Sequence, residues 1–148
     1  MTDVHDPVVR RDIVSRLDML GRDTEPGWGS MTPAAVLFHL NAGMRMALGE
    51  LVAEPVGNPA FWHSEGKAIA LGEDPWPESA PTSPEALPER PVDLETERVQ
   101  FVVLIERIAE RERSGDWPAH PRLGPLTGGE WSRFTFTHVQ HHFRQFGI

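Results

Sequence analysis

Apolar residues recur at helical spacing in four stretches of the chain, and the period is lost between the second and the third. In the first, Val9, Ile13, Leu17 and Leu20 repeat every three or four positions, the spacing that lines one face of a helix. Asp6-Pro7 ahead of them combines an N-cap with a proline at the first helical position, and Gly21 closes the run. A turn-rich link with Pro26, Gly27, Trp28 and Gly29 follows. Thr32-Pro33 repeats the cap-plus-proline signature and opens a second helix to about Leu48, with Val36, Leu40, Gly43, Met44 and Ala47 on its apolar arc. Asp93 caps a third, predicted from Leu94 to about Arg113, whose stripe is Phe101, Val102, Ile105, Ile108 and Ala109. The fourth begins at Thr127-Gly-Gly-Glu130, where the threonine and the glutamate form a reciprocal capping box.

Between Glu50 and Val92 no period holds for long. Eight of the fourteen prolines fall there, from Pro55 to Pro91, several too close together for a helix to survive. Phe61, Trp62, Leu71 and Trp76 make the segment too apolar for a free linker. It is predicted to be an ordered crossover over the other helices, with one short helix near Glu65 to Leu71. No stretch alternates with a period of two. The expected fold is therefore all-α: one domain over residues 1–148, a four-helix bundle with a long proline-rich crossover between helices two and three.

Composition narrows the function classes. There is no cysteine, which removes disulfides, thiolate metal sites and cysteine nucleophiles and fits a reducing compartment. Charged residues interrupt the first twenty positions (Asp3, Asp6, Arg10, Arg11, Asp12, Arg16), so no secretory signal is read and a cytoplasmic location is expected. The formal net charge is −8, and no basic stripe offsets it. Phosphate backbones are bound by excess cations, so nucleic acid is not an expected partner, and neither is a membrane. Arg107, Arg111 and Arg113 cluster, but Glu106, Glu110 and Glu112 interleave with them, the pattern of a solvated helix face with opposite-charge neighbours.

The chemistry lies in the histidines. At 100° per residue, Trp131, Phe134, His138, His142 and Gln145 share one face of the fourth helix. His138 and His142 are one turn apart, the H-x-x-x-H spacing that lets two imidazoles share one metal ion. His39 flanks the apolar arc of the second helix, with Gly43 leaving room one turn later. One such pair by itself is compatible with rings that merely satisfy each other in a core. A third inward histidine from another helix is what points to a ligand set. Three neutral imidazoles suit zinc or nickel, with iron, cobalt or manganese also admissible, and three protein ligands leave positions open for water or substrate. His141 lies at the edge of the same face and is read as an outer or interface residue, although i, i+3 spacing would let it replace His142. Gln145 is a candidate to orient a ligand histidine. His63 and His120 sit in loops, His120-Pro121 being expected to serve the turn into the fourth helix, and His5 lies in the tail. Phe136 and Phe143 point away from the histidine face, so that side is expected to lie under the crossover or against a second copy in a homodimer.

The segment Met31-Thr-Pro-Ala-Ala-Val-Leu-Phe-His39-Leu, together with His138-Val-Gln-His141-His142-Phe-Arg-Gln145-Phe146, resembles the DinB-like superfamily of metalloenzymes. The likeness is greatest to a branch of unknown function ending in H-x-x-H-H-x-x-Q-F, and His120-Pro-Arg-Leu-Gly-Pro-Leu-Thr-Gly-Gly-Glu-Trp131 resembles that branch's approach to its last helix. The resemblance implies an often dimeric four-helix bundle whose metal triad maps to His39, His138 and His142. It also implies relatives that transfer small thiols such as mycothiol or bacillithiol to electrophiles, and others that are hydrolases. The expected function is a metal-dependent enzyme acting on a small-molecule substrate, with S-transfer from a low-molecular-weight thiol leading. A metal-dependent hydrolase and a non-catalytic metal- or ligand-binding bundle are the alternatives.

Overall fold

The computed structural model describes residues 1–148. It is all-α, and the nearest approach to β-pairing is a single bridge between His120 and Gly124. In chain order the elements are α1 (Pro7–Leu17), α2 (Pro33–Ala47), α3 (Pro59–Phe61), a π turn (Trp62–Gly66), α4 (Lys67–Leu71), a 3-10 turn (Pro84–Ala86), α5 (Leu94–Glu110) and α6 (Gly128–Gln145).

The four long helices start where their caps predict. The Asp6 carboxylate accepts from the Val8 amide at 2.8 Å, Thr32 Oγ1 from Ala35 at 3.1 Å, and Asp93 from Thr96 at 2.8 Å. At α6 both halves of the box are made, Glu130 N–H to Thr127 Oγ1 at 3.1 Å and Thr127 N–H to Glu130 Oε2 at 3.0 Å. Each cap satisfies amides that have no partner inside the helix and is worth about 1 kcal/mol.

Helix ends depart from the periodic reading because distant side chains claim the terminal carbonyls. α1 stops at Leu17 rather than Leu20: the Arg98 guanidinium on α5 takes the carbonyls of Leu17 and Leu20, and Leu20 is buried through a turn. α5 stops at Glu110 rather than near Arg113. Arg111 is extended, its carbonyl accepting from His5 Nε2 at 2.9 Å, and the Glu112 carbonyl accepts from the Trp117 indole at 3.0 Å. The charges around this end do not pair among themselves as expected. Arg107 pairs with Glu50, Arg113 with Asp3 at 3.0 Å, and Glu106 with Arg10 at 3.0 Å.

The crossover is more helical than its prolines suggest. The Asn58 side chain accepts from Ala60 N–H at 3.0 Å and starts a continuous run from Pro59 to Leu71, well ahead of Glu65. Buried Arg133 on α6 pins its far end through the carbonyls of Leu71, at 2.9 Å, and Gly72. Thr137 adds a bond to the Ala70 carbonyl at 2.7 Å.

Twenty-four buried apolar residues form one core, and α6 runs through it. Phe143 stacks on Phe101 of α5 at 6.4 Å between ring centres, with the Arg16 guanidinium of α1 over its ring. The second apolar side of α6 is thus covered at Phe143 by the chain's own α1 and α5, not by the crossover or a second copy. No helix is long and apolar enough to cross a membrane.

Candidate metal centre

Thr32 and Thr127 set the starts of α2 and α6, and the contact between these two helices brings His39 against His138 and His142. The three rings form a nearly equilateral group, with centroid separations of 4.7, 4.8 and 5.0 Å and steep mutual tilts of 85°, 76° and 65°. One nitrogen from each lies within 4.8 Å of the others, and all three residues are buried.

Hydrogen bonds outside the group assign the protons. His39 Nδ1–H donates to the Ala86 carbonyl at 3.2 Å, and His142 Nδ1–H donates to Gln145 Oε1 at 2.7 Å. Both residues therefore keep an Nε2 lone pair on the inner side, the arrangement in which outer partners orient metal-ligating imidazoles. Gln145 is itself held, donating Nε2–H to the Trp28 carbonyl at 2.9 Å. Gly29 makes that approach possible: its φ is +74°, and a Cβ there would lie 2.9 Å from Gln145 Nε2. His138 Nε2 donates to His39 Nε2 at 2.8 Å, a proton that moves to Nδ1 if Nε2 is to bind a metal. Gly43 lies against that Nδ1, where a Cβ would press to 3.3 Å.

Burial keeps these rings neutral. It pushes His39 down to about 3, helped by the neighbouring His142 ring and opposed by the Ala86 bond. His138 is driven well below its ordinary value by burial and then by His39, His142 and His141. His142 is lowered by burial, with Gln145 opposing. Neutral imidazoles are the form that ligates, so at neutral pH no imidazolium proton competes with an ion. The donor set thus fits a divalent metal: three neutral nitrogens, two with fixed outer partners, and no cation within the group.

The group opens on a cavity of about 280 Å³. Trp76 from the crossover stacks on His138 at 5.6 Å and 19° and also touches His141 at 5.4 Å, while Trp28 meets His141 from the other side at 5.7 Å. His141 is buried beside the three but outside their group, and its Nδ1 has no partner. Burial first, and then His142, bring it down to about 4.

His120 does serve its turn, with Nδ1 accepting from the amides of Arg122 and Leu123 at 3.1 Å each, but it also lines the cavity. His63 packs on Gly124 and is not in the cavity lining. His5 is structural, bridging Ser132 Oγ at 2.8 Å and the Arg111 carbonyl. The sequence did not single out Trp28, Trp76 or Arg122 as lining residues, and it gave His120 first a role in its turn. Trp76 carried a signal, an aromatic in a proline-rich segment, whereas the Ala86 and Trp28 carbonyls carried none.

Residues 11–147 match the family described as "Protein of unknown function (DUF1569)", and the chain belongs to that family. No curated protein and no solved structure matches it.

Proposed function

We propose that this protein is a divalent-metal-dependent enzyme built on a DinB-like four-helix bundle, with His39, His138 and His142 as ligands and transfer of a small-molecule thiol to an electrophile as its reaction. The observation that carries this reading is the pair of outward Nδ1–H bonds, to Ala86 and Gln145, which turn the remaining lone pairs of His39 and His142 toward His138 beside an open cavity. A divalent ion held there supplies Lewis acidity that makes a thiol or water nucleophilic at neutral pH. The chain's own residues bind and orient. Trp76 and Trp28 wall the cavity, Gln145 and Ala86 fix two rings, and buried Phe134 sits against His138 at 5.3 Å and excludes water from that side.

Because the chain has no cysteine, the sulfur comes from the thiol substrate. Hydrolysis is the second reading, and unpartnered His141 Nδ1 is what favours it, since an activated water needs a nearby proton acceptor. A storage or structural bundle would close the ligand set with a carboxylate, and none belongs to the histidine group. Zinc or nickel suits the all-nitrogen donors best. The reading includes a cytoplasmic homodimer. The exposed Val99 and Val103, one turn apart on α5, support a contact there.

Elemental analysis of untagged protein, beside a His39→Ala/His142→Ala variant, tests the metal. About one divalent ion per chain, lost in the folded variant, is the expected result. No ion in either protein after soaking with zinc, nickel and manganese ends the enzyme reading.

A further inference from the structure

The turn that leads into α6 presents two polar groups to the cavity that the histidine group does not use. Arg122 lines the cavity and is half-buried. Its guanidinium lies 4.6 Å over the Trp62 ring, and one terminal nitrogen donates to the Pro81 carbonyl, so the crossover holds it in place. It forms no ion pair with any carboxylate, and its Nε and second terminal nitrogen donate to nothing. The one carboxylate in the lining, Glu78, is exposed and unpaired with it. Leaving a half-buried cation without a counter-ion is costly, and that cost falls when an anion binds.

His120, two residues earlier, adds a neutral donor. Because Nδ1 accepts from the Arg122 and Leu123 amides, the ring proton is on Nε2, which has no partner. Its ring is fixed edge-on to Phe134 at 4.6 Å. The Nε–Nη edge of a guanidinium matches the two oxygens of a carboxylate, and a neutral imidazole N–H lining the same cavity suits an anionic oxygen.

We infer that Arg122 and His120 form a carboxylate-binding arm, and that the substrate of this cavity is a small molecule with a carboxylate at the end remote from its reacting group. The arm takes the carboxylate while the reacting end lies at the three histidines. This assignment of substrate class rests on the small-molecule site proposed above. Arg122 is a specificity-determining residue, and without it the cavity loses its preference for acids over their neutral counterparts.

Calorimetric titration of zinc-soaked protein with 3-mercaptopropionate and with 3-mercaptopropionamide tests this, with zinc content measured on the same samples. The acid is expected to bind about 10- to 100-fold more tightly than the amide, the range of a charge-assisted hydrogen-bonded contact. In Arg122→Gln the ratio should fall to about one while the zinc content is unchanged; in Arg122→Lys, which keeps the charge but not the fork, it should fall only in part. Taking the ratio within each variant cancels any loss of folded protein, and the lysine variant carries the test if the glutamine variant does not fold. An acid-to-amide ratio near one in the unaltered protein, or a ratio undiminished in either variant, overturns the arm. Absence of zinc with an intact acid preference would instead sink the metalloenzyme reading and leave the arm standing.

Discussion

Helix α2 packs against two of the long helices, α5 and α6, and the two contacts are built from different chemistry. Toward α5 it is a close-packed apolar seam. Leu37, Leu40 and Met44 belong to the same fully buried core as Phe101, Leu104, Ile105 and Ile108, and one buried polar pair, the Asn41 amide on Glu97 Oε2 at 2.8 Å, crosses it. Toward α6 the contact is polar: His39 and Gly43 face His138 and His142, with a cavity beside them. Apolar burial on the first side supplies the stability that lets the second side hold buried, poorly satisfied imidazoles. One helix thus carries an apolar face and a histidine face, and each is expected to be perturbed with little change to the other.

Acid is expected to break the comparison most strongly. The folded values of His39 and His120 are lowered to about 3 by burial, below an ordinary value of 6.5. Below pH 6.5 the unfolded chain binds protons that the folded chain refuses, so stability falls as pH falls. The loss is about 1.4 kcal/mol per pH unit for each such ring until its folded value is reached. Urea unfolding of metal-free protein at pH 7 and pH 5 should therefore show a midpoint falling by a large fraction at the lower pH. Equal midpoints would mean that these rings are not buried in neutral form.

Next in size is damage to the α5 side. Phe101→Ala removes a fully buried ring that stacks on Phe143 and should cost about 3–5 kcal/mol in urea unfolding. Its metal content per folded chain should remain that of the unaltered protein. Loss of metal there would show that the two faces are not separable.

The smallest effect sharpens the α6 side alone. Gln145→Leu keeps most of the buried volume but removes the acceptor that orients His142. Competition with a chelator should show metal affinity about 10- to 100-fold weaker, while the metal-free chain loses about 1–3 kcal/mol from the buried groups left unpaired. An unchanged affinity would mean that Gln145 does not orient a ligand.

Much of this was legible along the chain because it is written within four residues. Asp6, Thr32, Asp93 and Thr127 announce their helices through bonds to amides two or three positions on. Asn58-Pro59 carries the same signature and opens the crossover run, yet the prolines around it obscure it. The one-turn spacing of His138 and His142 survives into the structure unchanged, since a helix fixes it. Helix ends were less legible. α1 and α5 stop where Arg98 and His5, remote in sequence, capture carbonyls that continued helices would use.

The sequence by itself determined the helices, their capped starts and the inward face of α6, because each depends on neighbours whose geometry the backbone dictates. Only the tertiary structure decided that His39 meets His138 across 99 positions, that a backbone carbonyl 47 residues away orients His39, and that Arg122 borders the same cavity without an ion-pair partner. Such contacts depend on how separate elements pack. Packing is set by the summed fit of many side chains, and a carbonyl that orients a ring leaves no mark on the identity of its own residue.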